Sequence, residues 1–379
     1  MTKIQRYVVI DTLKVLVAVL VATSVIFTLA AGVREGVRKG LPPSVVVQTL
    51  PFMLPEMLRL TVPASLLFAI CTVFGRMAAA EEITALKSVG INPLRIVTPV
   101  LVLAYVLSFA TFWLYDACAV WSRPGMYRLI VSCVDELAYS ALRTHGVFTL
   151  GNVSVTSREV RGRKLIEPQV EVTESTGLRA TILTAREAEL EAVGSTGKLR
   201  IRSYDTHIDI PRNASVALPE VFTHELGVQS FGQQSENRRS PAQIKMAFLP
   251  RQIQREQEQI ALLSQASSDK ANKSAVHELR RRRVRLYRLQ AEAQRRLANG
   301  FAVFAFAVIG IPISIRQRSA DNMSVFFTCF APIALIYYPL LAAGEEIARR
   351  GIWPPLSVWL ASAVLTMIGA VLMHKLVKC

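Results

Sequence analysis

Histidine is sparse, cysteine forms no useful pattern, and acidic residues are outnumbered by basic ones. The 379-residue chain has five histidines, scattered at 145, 207, 224, 277 and 374. His224-Glu225 and His277-Glu278 each begin an HE pair, but neither has a histidine four residues after the first, so no zincin helix is expected. The five cysteines (Cys71, Cys118, Cys133, Cys329, Cys379) form no CxxC and no Cys/His ligand spacing. Three lie in or beside apolar runs, where cysteine behaves as a small buried hydrophobe. Cys118 and Cys133 can pair only if both face an oxidising space. There is no GxSxG and no carboxylate pair deep in an apolar run. GSTGK at 194–198 lacks the four residues between glycines that a phosphate loop needs, and Leu199 stands where its hydroxyl should follow. A turn between two strands is the simpler reading. No catalytic residue, metal or cofactor is expected.

What is abundant is apolar residues and positive charge. Hydrophobic residues make up 51% of the chain, and Lys and Arg exceed Asp and Glu by 44 to 28, a formal charge of +16. With a mean hydropathy of +0.34, this combination fits a membrane protein with polar parts outside the bilayer. The basic excess then serves as a topology signal or as contact with anionic lipid, and no nucleic acid is expected.

A helix needs about 20 apolar residues to cross a bilayer. Six runs qualify: 15–31, 50–74, 96–118, 297–315, 323–343 and 356–373. The first is preceded by Lys3, Arg6 and Lys14 and ends in no convincing cleavage site, so it reads as an anchor. The second is the least regular, interrupted by Pro51, Pro55 and Pro63. Charge beside the runs places both termini inside, together with Arg76, Lys87, Arg95, Arg316 and Arg318. All four tryptophans then fall toward outer ends. Arg34, Arg38, Lys39 and the run Arg280–Arg283 fall outside, against the rule.

Between the third and fourth runs the texture changes twice. VFTLGNVSVTS, KLIEPQVEVTES, LRATILTAREAEL and KLRIRSYDTHIDI alternate like strands of an antiparallel sandwich or jelly roll. Beyond Pro250, QIQREQEQIALL and HELRRRRVRLYRLQAEAQRRLAN have helical spacing, with Leu279, Leu286, Leu289, Ala293 and Leu297 near one stripe. The arginines there cover most faces of a helix, which is the pattern of a solvated or headgroup-facing surface, with a handhold for phosphorylated lipid as the functional alternative. Arg34, Arg38 and Lys39 sit where the first run leaves the membrane. Two readings stand for them: contact with an anion, or interfacial anchoring. Glu345–Arg349 and Glu346–Arg350 are i,i+4 pairs in the favourable order and extend the fifth helix.

The charged connector GRMAAAEEITALKSVGINPLRI lies between the second and third runs. Its composition favours helix from about Met77 to Val89, with Glu81 and Glu82 nearer the N-terminal end, Lys87 in the last turn, Gly90 past the end, and Asn92-Pro93 preventing continuation. Ala79, Ile83, Leu86 and Val89 form a narrow apolar stripe. It is either a surface connector or a helix that docks in a partner's groove.

AEEITALKSVGINPLRI resembles the segment after the second span of the LptF/LptG permeases, the lipopolysaccharide-export family, which reads roughly sELtALraaGiSplRl. LTVPASLLFAI is similar to that family's proline-bearing second span. AQRRLANGFAVFAFAVIGIPISI resembles its hrRla…iGiPl entry to the fourth, and GEEIARRGIWPPLSVWL its G…a..G.l.P..a.W run. Trp359 is followed by Leu-Ala-Ser where the family pattern carries Asn two residues on.

The resemblance implies a membrane α-helical fold of six transmembrane helices, with an extracytoplasmic all-β, jelly-roll-like domain between the third and fourth. The segments expected are 1–143 with a coupling helix at about 77–89, a periplasmic β domain at 144–237, a helical return at 238–296, and the last three spans at 297–379. It further implies a non-enzymatic permease half in the bacterial inner membrane. Its implied partners are a homologous half of LptF or LptG type, two copies of a cytoplasmic LptB-type ATPase, and a periplasmic LptC/LptA-type jellyroll protein, with lipopolysaccharide as the cargo. Glu82 matches the family's coupling acid, with Glu81, Ile83, Leu86 and Lys87 around it. Arg34, Arg38 and Lys39 lie where the family contacts lipid phosphates. The rival reading is a membrane-anchored sensor or scaffold whose β domain binds a ligand.

Overall fold

The apolar runs become helices that continue well past their greasy portions, because a helix satisfies its backbone N–H and C=O groups internally in lipid or in water. A computed structural model describes residues 3–39, 43–122, 125–126, 129, 134–150, 153–173, 180–193, 198–210, 213–217, 221–227, 241, 244–266, 273–317 and 321–378. Six helices in it are long and apolar enough to span a bilayer: Lys3–Val37, Pro43–Ala79, Pro93–Ala117, Glu278–Gln317, Met323–Arg350 and Pro355–Leu376.

In chain order the helices are α1 (Lys3–Lys39), α2 (Pro43–Ala79), α3 (Glu82–Ser88), α4 (Pro93–Ala117), α5 (Val134–His145), α6 (Leu249–Ala266), α7 (Lys273–Gln317), α8 (Asn322–Pro332), α9 (Tyr338–Arg350) and α10 (Leu360–Lys378). The prolines of α2 do not break it. Thr49 and Thr61 return hydroxyl hydrogen bonds to the carbonyls of Val46 (2.7 Å) and Leu58 (3.2 Å), the local back-bonding of hydroxyl side chains within a helix. The fifth span widens instead. A π turn at Ile333–Tyr337 joins α8 to α9, between Pro332 and Pro339, where a missing proline N–H favours looser winding. Glu345–Arg349 (3.2 Å) and Glu346–Arg350 (2.7 Å) pair along α9 as their spacing predicts.

The chain divides into two compact units, and α1 and α2 each contribute to both. One unit comprises 1–27, 54–120 and 240–379, the other 28–53 and 121–239. In the first, α7 is the axis. Its most apolar window is 78% buried, against 22% for those of α1 and of the fifth span. One side of the core gathers Leu66, Phe74, Val100 and Val303, and another gathers Leu67, Phe306, Ile309, Val325 and Leu365. Gly300 lets α4 and α7 approach, since a Cβ there would meet the Ser108 carbonyl at 3.2 Å.

α7 runs 45 residues without interruption through the 296/297 position. At ~1.5 Å per residue it measures roughly 68 Å, more than twice a hydrocarbon core of about 30 Å. Its polar half packs on α6 around Ile244, Leu249 and Leu289.

The second unit contains a nine-stranded, wholly antiparallel sheet: β1 (Val147–Leu150), β2 (Val153–Thr156), β3 (Glu159–Arg161), β4 (Lys164–Ile166), β5 (Gln169–Thr173), β6 (Ala180–Val193), β7 (Lys198–Ile210), β8 (Asn213–Ala217) and β9 (Val221–Gly227). Long β6 pairs with β7 along one edge and with β5 and β4 in tandem along the other. β7 carries β9 and β8 in the same way. α5 covers one face, placing Ala138, Tyr139 and Leu142 against Val155, Leu165, Val170, Ala188 and Leu190. The buried Tyr139 hydroxyl accepts from the Leu190 N–H at 2.8 Å and so satisfies its polar tip. β3, β8 and β9 lie outside the four alternating stretches read from the sequence. The turns expected at 175–177 and 194–197, and Cys133, lie outside the described residues. Cys118 is buried at the start of a π turn, Cys118–Ser122.

Candidate functional site

The connector is shorter and more tightly defined than its composition indicates. Met77–Ala79 complete α2, Ala80 and Glu81 turn, and α3 occupies only Glu82–Ser88. Glu81 breaks the expected helix by adopting a left-handed conformation (φ 57°, ψ 12°). At the other end the Gly90 N–H donates to the Lys87 carbonyl (2.9 Å) and the Ile91 N–H to that of Leu86 (3.0 Å), the paired bonds of a Schellman motif. Gly90 supplies the required left-handed residue at φ 84°. Asn92 Oδ1 then accepts from the Leu94 N–H at 2.9 Å and caps α4, with Pro93 in its first turn. A Schellman stop and an N-cap start therefore lie only a few residues apart.

The expected apolar stripe divides. Ile83 is 5% exposed and packs into the core with α2 and α4; Leu86 packs half-buried against the same core; Val89 is 78% exposed. Ile83 thus anchors α3 and is not offered outward. Glu81 and Glu82 are exposed at the helix N-terminus, where carboxylates are favoured. Around this end, Arg76 pairs with Asp11, and Gln5 donates to the Arg95 carbonyl at 2.8 Å, tying α1 to α2 and α4.

Lys87 reaches an element that sequence order does not suggest. Its ammonium donates to the Leu376 carbonyl on α10 at 3.1 Å. Beyond it opens a groove of ≈ 850 Å³ between the ends of α7, α8 and α10, with Arg316 and Lys375 in its lining. In the sequence Arg316 serves only as a topology marker, and nothing links it to Lys375. Their shared groove joins segments far apart in the chain, and only the topology signal hinted at it.

Arg34 is exposed on α1. There α1 lies close against α2: a Cβ on Gly32 would meet Leu50 at 2.5 Å, and one on Gly36 would meet Val46 at 2.6 Å. The side chains of Arg38 and Lys39 lie outside those described. The dense arginine run of α7 resolves into two groups. Arg282 (3.4 Å) and Arg285 (3.0 Å) turn inward onto the buried carboxylate of Glu256 on α6, while Arg280, Arg281, Arg283 and Arg288 are exposed. Further along, Arg296 is 2% exposed. It pairs with Glu292 (3.1 Å) and Asp116 (3.7 Å) and donates to the Pro241 carbonyl at 3.3 Å. Asp116 accepts in turn from the Met246 N–H at 2.8 Å. Among the described residues no group of His, Cys, Asp and Glu is placed to hold a metal.

The family model for the lipopolysaccharide export system permease LptF/LptG matches residues 6–375. The chain belongs to the LptF/LptG family. No curated protein matches it. Membership makes the chain a lipopolysaccharide export permease, a transporter subunit of the bacterial inner membrane, and implies a partner permease and an ATPase.

The stretches that carry the LptF/LptG resemblance are mostly folding devices here. Gly90, Asn92 and Pro93 end one helix and start the next. Arg296, in QRRLANG, holds the buried network. In GEEIARRGIWPPLSVW, a Cβ on Gly344 would meet the Ser357 carbonyl at 2.6 Å, Gly351 ends α9 at φ 72°, and the Trp359 indole donates to Gln294 at 2.9 Å. Glu82 differs: it is exposed, and among the described residues it fixes no element to another.

Proposed function

We propose that this chain is one half of the permease, that a separate cytoplasmic LptB-type ATPase docks on α3, and that Glu82 is the principal contact. One observation carries the reading. α3 is locked at its C-terminal end by the Schellman cap and anchored from beneath by Ile83, yet it presents Glu81 and Glu82 to the outside. A short rigid element of this kind transmits displacement to α2 and α4 without unfolding. Lys87, tied to α10, and Leu86, set on the core, pass the same displacement to other spans.

In this reading both termini are cytoplasmic and the sheet is a periplasmic jellyroll. A second, homologous half covers the exposed faces of α1 and the fifth span, whose apolar windows are only 22% buried within one chain. ATP-driven closure of two ATPase copies moves α3, rocks the spans, and drives lipopolysaccharide from the membrane through the jellyroll toward an LptC/LptA-type bridge. Arg34, Arg38 and Lys39 attract the lipid phosphates. The segments keep the bounds 1–143, 144–237, 238–296 and 297–379.

The test is co-purification. A tagged, detergent-solubilised chain should bring down a nucleotide-binding subunit. A charge-assisted hydrogen bond contributes ~1.5–3 kcal/mol, so Glu82→Arg should weaken the association by about tenfold or more while expression is retained. Undiminished recovery of the ATPase with Glu82→Arg would remove the basis for the assignment.

A further inference from the structure

The groove beside α3 has a chemistry that docking through Glu82 does not use. Its floor and walls are apolar, formed by Pro312, Ile313, Ile315, Leu372 and Leu376 from the ends of α7 and α10. Among the described residues three cations, Lys87, Arg316 and Lys375, line it, and no Asp or Glu does.

Helix dipoles do not account for that charge. α7 and α10 end beside the groove, and each C-terminus carries roughly half a negative charge. Two such ends offset about one cation of three, which leaves the lining about two charges positive. Lys87 spends one of its three donors on the Leu376 carbonyl. Gln317 adds a second requirement. Its amide nitrogen donates to Ser324 at 3.2 Å, while its Oε1 is buried without a hydrogen-bond partner among the described residues. A complementary ligand carries an anion for the cations, a donor for Gln317, and an apolar part for the isoleucines and leucines. The groove lies where three membrane helices end, so the ligand reaches it from the bilayer.

We propose that this groove is a binding site for an anionic phospholipid with a hydroxyl-bearing headgroup. The phosphate sits among Arg316, Lys375 and Lys87, a headgroup hydroxyl donates to Gln317 Oε1, and the start of an acyl chain lies on Ile313, Ile315 and Leu372. A lipid held there bridges α7, α10 and α3 and adds to the stability of that end of the bundle. The proposal rests on the membrane location alone, and its test leaves Lys87 and Glu82 unaltered.

The purified full-length chain in zwitterionic detergent is titrated with dioctanoyl phosphatidylglycerol, dioctanoyl phosphatidylcholine and glycerol 3-phosphate, and followed by native mass spectrometry and thermal unfolding. Phosphatidylglycerol should bind saturably and raise Tm. Phosphatidylcholine should do neither, and glycerol 3-phosphate should bind at least about tenfold more weakly for want of the apolar part. Each cation near a lipid phosphate contributes roughly fivefold, so Arg316→Gln with Lys375→Gln should weaken binding about 30-fold. Arg316→Lys with Lys375→Arg should restore it. As a second readout on the unaltered chain, a photoactivatable acyl chain on phosphatidylglycerol should label peptides containing Ile313 or Leu372. Equal binding of phosphatidylcholine, unchanged affinity in the double glutamine variant, or labelling confined to other segments would overturn the proposal. So would a double variant that keeps its lipid but loses the nucleotide-binding subunit, since the groove would then be a protein-docking surface.

Discussion

Arg296 shows how much of this sequence is devoted to holding helices together. Its charge is buried, and Glu292, Asp116 and the Pro241 carbonyl stand against it. Removing one partner from a buried ionic group costs about 3–5 kcal/mol. Arg296→Ala should therefore lower stability by that amount, measured by denaturant unfolding in detergent micelles, and a loss below about 1 kcal/mol would show that the network is not holding α7. Gly90→Ala isolates a purely conformational cost. A Cβ there meets nothing within 4 Å, but φ is 84°, so the substitution should cost about 1–2 kcal/mol through backbone strain alone. Gly90 was legible because its role is local, whereas Asn92 reads in the sequence only as part of a stop and its capping of α4 shows in the structure. The position of Arg296 was not legible, since its partners come from other segments and nothing in QRRLANG shows which arginine turns inward.

At the scale of elements, α3 and the α6–α7 pair behave differently from their sequence patterns. Helix propensity favoured Met77–Val89 as one piece. Burial of Ile83 and the left-handed Glu81 instead set α3 off from α2, a tertiary demand that outweighs propensity. The arginine run reads as one surface because its residues cover most faces of an isolated helix. Glu256 on α6 selects Arg282 and Arg285 from it. Glu256→Ala should remove the carboxylate partner of Arg285, leave Arg282 to Glu278 and Gln259, and loosen the pair. Hydrogen exchange across 249–266 should rise at least about tenfold while exchange in α4 stays unchanged; equal exchange in both proteins would show that the ion pairs do not hold α6. The six spanning helices were legible from hydropathy, and so were the strands now called β1, β2 and β4 to β7. β8 and β9 are defined by long β7, with which they pair, and β3 by β4.

At the scale of the whole molecule, membership of the LptF/LptG family implies a transporter permease subunit with an ATPase partner, and in the proposed reading ATP hydrolysis belongs to that partner. The proposed lipid path makes a separable prediction. Arg34→Glu with Arg38→Glu should reduce photocrosslinking to lipopolysaccharide several-fold without changing recovery of the ATPase, and unchanged crosslinking would favour interfacial anchoring. The central claim, that α3 is the element on which the ATPase docks, is tested most directly by a photoreactive amino acid placed in turn at positions 82, 83 and 89 of the full-length chain. Glu82 and Val89 are exposed and Ile83 is buried. The account predicts adducts with the nucleotide-binding subunit from 82 and 89 and none from 83. Absence of any adduct from position 82, in a preparation that retains the ATPase, would contradict it.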